Sequence, residues 1–225
     1  MNICIHISSD EEWNSVKNIF TVPASHLKQQ AFGEYFEQEI NDKKCIIYYS
    51  GPSKTKASAA CQHAIDKWTP EIIYVLGTCG AVSETLNIFD IVMANRTIQY
   101  DCQEFIGENT NTFYSPMITD INISHVNIDN IKDEIKLGII GTADRDIDFE
   151  GANCLRKENI LAADWESGAI SKICDINDVK CIIFRGVSDK PTENSSSDKE
   201  KQINDYRKNT AIVMDKLFNL LKKII

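Results

Sequence analysis

Residues 71–80 read Glu71-Ile72-Ile73-Tyr74-Val75-Leu76-Gly77-Thr78-Cys79-Gly80. A short, continuous apolar run such as 72–76 suits a strand buried on both faces, because neither side of its pleat meets water. Such strands lie inside sheets that helices cover. Gly77 to Gly80 ends the run. Two readings stand for it: glycines that let a backbone approach a ligand closely, or an ordinary tight turn. The flanks agree with a buried strand. Upstream, residues 53–68 carry Ala57, Ala60, Cys61, Ala64, Ile65 and Trp68 at helical spacing, with Ser53 as the expected N-cap. Downstream, residues 88–98 hold a further strand pattern.

The alternation continues outward. Residues 2–7, 44–50, 135–141 and 179–187 read as strands, the second closed by Gly51-Pro52. Residues 164–176 read as a helix with Trp165, Ala169, Ile173 and Ile176 on its buried side. A last helix is expected from about Asp198 to Lys223, with Ile203, Tyr206, Thr210, Val213, Leu217 and Leu220 as its apolar stripe. Residues 101–134 are polar and read as a long excursion outside the core, and Ser188 to Lys199 as a polar loop. No linker-like break or repeat divides the chain. The expectation is therefore a single α/β domain over residues 1–225, a mixed central β-sheet flanked by helices. Ligands of such sheets gather at the carboxyl ends of strands. Three polar segments sit there: Ser8–Glu12, Gly77–Gly80 and Ser188–Asp189.

Composition narrows the function classes. The 225 residues carry a net charge of −9. That argues against a nucleic-acid binder that neutralises phosphates over a broad face, and against a basic membrane-surface protein. No apolar run is long enough to span a bilayer. The first residues lack the basic segment of a secretory signal. None of the eight cysteines forms a C-x-x-C pair, which removes the usual zinc and redox motifs. Several lie in apolar runs and read as small buried hydrophobes. Reduced cysteines point to the cytoplasm.

Three segments, far apart in sequence, carry the chemistry: Gly77-Thr78-Cys79-Gly80-Ala81-Val82, Asp164-Trp165-Glu166-Ser167-Gly168-Ala169 and Arg185-Gly186-Val187-Ser188-Asp189-Lys190. Singly each has a plain structural reading. Asp164 can complement a helix dipole, and Ser188 and Asp189 can form a turn. Together, in this order and spacing, they resemble the signature stretches of the nucleoside phosphorylase/nucleosidase superfamily. The branch they most resemble is that of the 5′-methylthioadenosine/S-adenosylhomocysteine nucleosidases. The acidic segment Asp10-Glu11-Glu12 fits the same branch.

The resemblance implies a set of roles. Cleaving a purine N-glycosidic bond forms an oxocarbenium-like sugar and an anionic base. A proton must reach the base, a water must be activated, and the sugar hydroxyls must be held. Asp189 matches the acid that protonates the purine at N7, with Ser188 as its hydrogen-bond partner. To be protonated at neutral pH its pKa must rise from ~3.9 to near 7, costing about 4 kcal/mol. Glu12 matches the base that deprotonates water. Glu166 matches the carboxylate that holds the 2′- and 3′-hydroxyls. Arg185 is similar to the arginine beside it, which would keep that glutamate ionised. Thr78, Cys79 and Gly80 would line the substrate. In the loop 144–149, Ile147 would offer backbone groups to the base. Phe149 is either a stacking ring or part of the core.

Phosphorolysis would need an arginine fork for phosphate. The family's phosphorylases place an arginine where this chain has Val75. Of the five arginines only Arg185 lies near the expected site, so hydrolysis by water is favoured. A phosphate-dependent purine nucleoside phosphorylase is one alternative, and a non-catalytic nucleoside-binding protein of the same fold is another. The sequence departs from the nucleosidases in one segment. Trp165 replaces their ribose-contacting methionine, and Asp164 replaces a glutamate, which leaves the 5′-substituent open. The pocket for that substituent is expected near Cys102–Phe105. No metal or organic cofactor is implied. The partner expected is a small-molecule nucleoside, and the resemblance implies a homo-oligomer, commonly a dimer.

Overall fold

The computed structural model describes residues 2–104, 112–191 and 199–225. Strand β1 (Ile3–Ile7) leads into helix α1 (Asp10–Ile19). A meander follows: β2 (Lys28–Gln30), β3 (Gly33–Ile40) and β4 (Lys43–Tyr49). Next come α2 (Lys54–Trp68), β5 (Ile72–Ala81) and β6 (Ile91–Gln99). The short strands β7 (Gln103–Glu104), β8 (Thr112–Phe113) and β9 (Ile118–Asp120) lead to β10 (Ile135–Thr142). The chain ends in α3 (Phe149–Arg156), β11 (Ile160–Asp164), α4 (Ser167–Ile176), β12 (Lys180–Asp189) and α5 (Lys199–Leu221).

The sheet runs β11-β10-β6-β12-β5-β1-β4-β3-β2, with β9 added to β6. It is mixed: β5 lies parallel to β1 and β12, whereas β12 meets β6 antiparallel. One further pairing, β11 antiparallel to β5, closes half of the sheet on itself. Ala162 and Ala163 there face Ala81 and Gly80. The α/β architecture expected from the sequence is therefore present, but five strands of its sheet form a ring.

Several local expectations need correction. Gly77–Gly80 does not end its strand. β5 continues through Ala81, and all ten of its residues are buried. A strand covered on both faces gains more by keeping its ladder than by turning, and small residues let it run beside packed side chains. Ser188 and Asp189 likewise belong to β12, past an irregularity at Val187, rather than to a loop. Ser53 is not an N-cap by its side chain; it makes no capping bond and has φ 99°. The segment 101–134 is partly core, because β9 pairs with β6 and Ile121, Val126 and Ile131 are buried. Ile176 and Ile203 are 69% and 51% exposed, so the apolar faces of α4 and α5 are narrower than their periodicity suggested. In α4 the small residues Ser167, Gly168, Ala169 and Ser171 are buried beside Ile170 and Cys174. The start expected for α5 at Asp198, and Phe105 of the expected 5′ pocket, lie outside the described residues.

Helix α1 begins with a capping box. The Glu12 amide donates to Ser9 Oγ at 3.2 Å, and the Ser9 amide donates to Glu12 Oε2 at 3.0 Å. The box fixes where Glu12 stands relative to the end of β1.

Candidate active site

Glu12 is buried at the carboxyl end of β1, facing Thr78 on the neighbouring β5. Its Oε1 accepts the Thr78 amide at 2.6 Å and the Thr78 hydroxyl at 2.8 Å. Oε2 accepts the amides of Ser8 (3.3 Å) and Ser9 (3.0 Å). Arg185 Nη1 lies 3.9 Å from Oε1. A carboxylate so surrounded by donors is compatible with burial, since each lone pair lost from water finds a partner. Gly77 makes the approach feasible. A Cβ there would lie 2.1 Å from Arg185 Nη1 and 2.8 Å from Glu12 Oε1. Its value is close approach, not an unusual backbone angle.

Arg185, on β12, is the centre of the charge arrangement and is fully buried. Asp164 Oδ2 lies 2.7 Å from its Nε, which donates to Ser167 Oγ at 2.9 Å. Nη2 reaches Glu166 Oε2 at 3.5 Å. Asp164 also accepts the Thr142 hydroxyl (2.6 Å), the Ser167 hydroxyl and the Ser167 amide. Arg185 does stand beside Glu166, as expected, but its nearest partner is Asp164 at the end of β11. Asp164 therefore does more than complement a helix dipole.

Electrostatics follow this geometry. Burial pushes the Glu166 carboxyl up to about 8; Arg185 opposes that, while Asp164 and Glu12 add to it. The expectation that Arg185 keeps Glu166 ionised is thus corrected. The same contact, seen from Arg185, raises its pKa, as Asp164 and Glu12 also do against the effect of burial. Burial decides at Glu166, because the Arg185 charge is already compensated by the closer Asp164. Glu166 Oε1 also accepts the Ser53 amide at 3.1 Å. Ser53 makes that bond at a φ of 99°, a conformation that side chains strain against.

Asp189 pairs with Gly80 across β12 and β5. Ser188 Oγ donates to Asp189 Oδ1 at 2.7 Å and also lies 3.4 Å from the Cys79 carbonyl. A Cβ on Gly80 would meet Asp189 Oδ2 at 3.1 Å and Ile147 Cγ2 at 3.4 Å. Ile147 therefore reaches the Asp189 side of the site. Burial pushes the Asp189 carboxyl up; its Ser188 hydrogen bond opposes this and Asp146 adds to it. By surface area Asp189 is exposed. Both descriptions fit a carboxyl crowded by protein yet reached by water, and the accessible area limits how far the shift goes unaided.

Other expected residues stand apart. The ring of Phe149, at the first turn of α3, lies under the Arg156 guanidinium at 5.9 Å. Trp165 is 36% exposed between Asp164 and Glu166. The Cys79 thiol is buried in the core; only its carbonyl faces Ser188. Val75 is core. Four arginines are engaged elsewhere: Arg96 with Asp120, Arg145 over Tyr100, Arg156 on the Val82 carbonyl and Arg207 with Glu11. A cavity of about 420 Å³, lined by Thr119, His125, Asp178 and Lys180 among others, shares no residue with this cluster.

Thr142 and the Ser53 amide were not foreseen. No local pattern marks them, since they act across 22 and 113 residues of sequence. Ser9 was legible, because Ser-x-x-Glu is the capping-box spacing.

Comparison with known proteins places this geometry. Over 222 aligned residues the chain is 27% identical to the 5′-methylthioadenosine/S-adenosylhomocysteine nucleosidase of Buchnera aphidicola, covering 90% of each chain. It is 24% identical over 185 residues to the aminodeoxyfutalosine nucleosidase of Campylobacter jejuni, covering 76% of this chain and 78% of that one. Its fold superposes on the 5′-methylthioadenosine/S-adenosyl homocysteine nucleosidase of Helicobacter pylori with a TM-score of 0.80, at 18% identity and over 99% and 98% of the two chains. The model of the phosphorylase superfamily matches residues 3–225. Both the strand-end carboxylates and the sheet that carries them lie within that span, and the chain belongs to the phosphorylase superfamily.

Proposed function

We propose that this protein hydrolyses the N-glycosidic bond of purine nucleosides of the 5′-methylthioadenosine/S-adenosylhomocysteine kind, releasing free base. One observation carries this reading: Glu12 and Glu166 flank a single buried guanidinium, Arg185, while Asp189 stands at Gly80, two residues along β5 from the Thr78 that holds Glu12.

Each carboxyl has a distinct task. Ser188 occupies Asp189 Oδ1, and Oδ2, which accepts no hydrogen bond among the described residues, is the oxygen to carry a proton toward N7 of the base. A purine seated against Gly80 and Ile147 would displace water and complete the rise in the Asp189 pKa that burial begins. Glu12 takes a proton from the attacking water. Glu166 accepts the 2′- and 3′-hydroxyls, held in place by the Ser53 amide and Arg185. Trp165 edges the sugar, and Thr78, the Cys79 backbone and Gly80 form the floor.

Hydrolysis is favoured over phosphorolysis because Val75 is core and the other four arginines are engaged elsewhere. The carboxylate of Glu12 beside the expected anomeric position would repel phosphate. The eight cysteines are all free, which supports a reducing cytoplasmic setting. We further propose that residues 1–225 act as one domain and assemble as a homodimer, which sedimentation analysis would decide.

The test is a nucleoside panel, including 5′-methylthioadenosine, S-adenosylhomocysteine and aminodeoxyfutalosine, with and without phosphate. Free base and reducing sugar are expected in equal amounts at a rate independent of phosphate. Phosphate-dependent turnover yielding a sugar 1-phosphate would establish a phosphorylase instead. Affinity with no turnover would establish a binding protein.

A further inference from the structure

Helix α2 begins without a cap of its own. The first amides of a helix have no partner within it, and the Ser53 side chain makes no capping bond. Two carboxylates from distant parts of the chain serve instead. The Ser53 amide donates to Glu166 Oε1 at 3.1 Å, and the Lys54 amide donates to Asp144 Oδ1 at 2.8 Å. Glu166 belongs to the site. Asp144 stands just past the carboxyl end of β10.

Asp144 is itself held. Its amide donates to Asp101 Oδ2 at 3.3 Å, and Lys54 Nζ donates to Asp101 Oδ1 at 2.6 Å. Lys54, Asp101 and Asp144 thus close a triangle among the segments that follow β4, β6 and β10. The residue before Asp144 is anchored as well, since the Ala143 amide donates to the Asp164 carbonyl at 3.0 Å. Asp164 lies two residues before Glu166, so both carboxylates that receive the start of α2 are tied to one corner of the fold.

The backbone between the two amides gives the triangle its consequence. Ser53 has φ 99° and ψ 151°. Such strain persists only where the surroundings over-determine it. Here the Lys54 amide is pinned by Asp144 and the Ser53 amide by Glu166, one on each side of the strained residue. Releasing the Lys54 amide lets Ser53 relax toward negative φ, which moves its own amide away from Glu166.

We propose that Asp144 is a positioning residue for Glu166, acting through the first turn of α2: it holds the Lys54 amide and so keeps the neighbouring Ser53 amide on Glu166 Oε1. This role rests on the hydrolytic reading given above, in which Glu166 takes the sugar hydroxyls.

The experiment is Asp144→Ala in the full-length protein, assayed on 5′-methylthioadenosine and on its 2′,3′-dideoxy analogue. Losing a helix-capping acceptor should lower kcat/KM on the ribonucleoside roughly fivefold. On the dideoxy analogue the loss should stay under about twofold, because Glu166 has no hydroxyl to hold. Asp144→Asn keeps a carbonyl oxygen for the Lys54 amide and should restore most of the rate. Asp101→Ala loosens Asp144 without removing it; it should give a smaller loss with the same dependence on the hydroxyls, and it carries the test if Asp144→Ala does not fold. An unchanged kcat/KM on the ribonucleoside, or equal losses on both substrates, overturns the proposal. A crystal structure of the same variant gives a readout that needs no turnover: the Ser53 amide should leave Glu166 Oε1. If wild type cleaves no nucleoside, the hydrolytic reading falls, while this separation still decides the positioning. A contact kept at 3.1 Å overturns it.

Discussion

Arg185 Nε and Asp164 Oδ2 stand 2.7 Å apart, with both side chains almost wholly removed from solvent. They come from β12 and β11, strands that do not touch in the sheet order, and are brought together by the closure of β11 onto β5. Breaking a buried pair by deleting one partner leaves the other charge uncompensated. Asp164→Ala should therefore lower unfolding stability by about 3–5 kcal/mol in urea titrations. A loss under about 1 kcal/mol would show that Thr142 and Ser167, not the ion pair, hold this corner.

Gly77→Ala tests the packing around the same guanidinium. The added Cβ would sit 2.1 Å from Arg185 Nη1, well inside contact distance. The guanidinium is fully buried and tied to Asp164, Ser167 and Glu166, so we expect about 1–3 kcal/mol of destabilisation, together with a fall in kcat, since Glu12 Oε1 is crowded as well. A variant with wild-type stability and rate would show that Arg185 can relax freely.

The Glu166 carboxyl makes stability depend on pH. Its ordinary value is 4.5 and its folded value about 8. Between these values the folded state holds a proton that the unfolded state has released. Stability contributed by this group is full below about 4.5 and declines as pH rises toward 8. Glu166→Gln should flatten that decline. Denaturant midpoints across this window measure it, and an identical slope in the variant would place the cause elsewhere.

Asp189→Asn removes the proton donor while keeping the shape and a partner for Ser188. Base release should fall by about 10²–10⁴-fold, with nucleoside affinity within a few-fold. Calorimetric titration beside rate measurements separates the two. A loss of affinity with the rate of bound substrate unchanged would assign Asp189 to binding alone.

Ser53 offers a case in which glycine should improve the protein. Its φ of 99° and ψ of 151° lie where glycine alone is unstrained, and its amide serves Glu166. Ser53→Gly should keep activity and add about 1 kcal/mol of stability. Ser53→Pro removes the amide and cannot adopt this φ, so both should fall. Thermal melting and base-release assays on the two variants decide it; a Gly variant less stable than wild type would contradict the strain.

Apolar runs at 72–76 and 179–187, helical spacing over 53–68 and the three signature segments are local patterns. Local patterns survive in a bare sequence because strand and helix periodicity depend only on neighbours. They were enough for the α/β class and the family, and to propose Glu12, Glu166, Arg185 and Asp189 as site residues. What they could not reach was long-range. The ring closed by β11 on β5, the pairing of Arg185 with Asp164, the upward shift of Glu166 and the Ser53 amide all arise from groups tens of residues apart. Burial and charge compensation are properties of what surrounds a side chain in space, and only the folded chain assembles those surroundings.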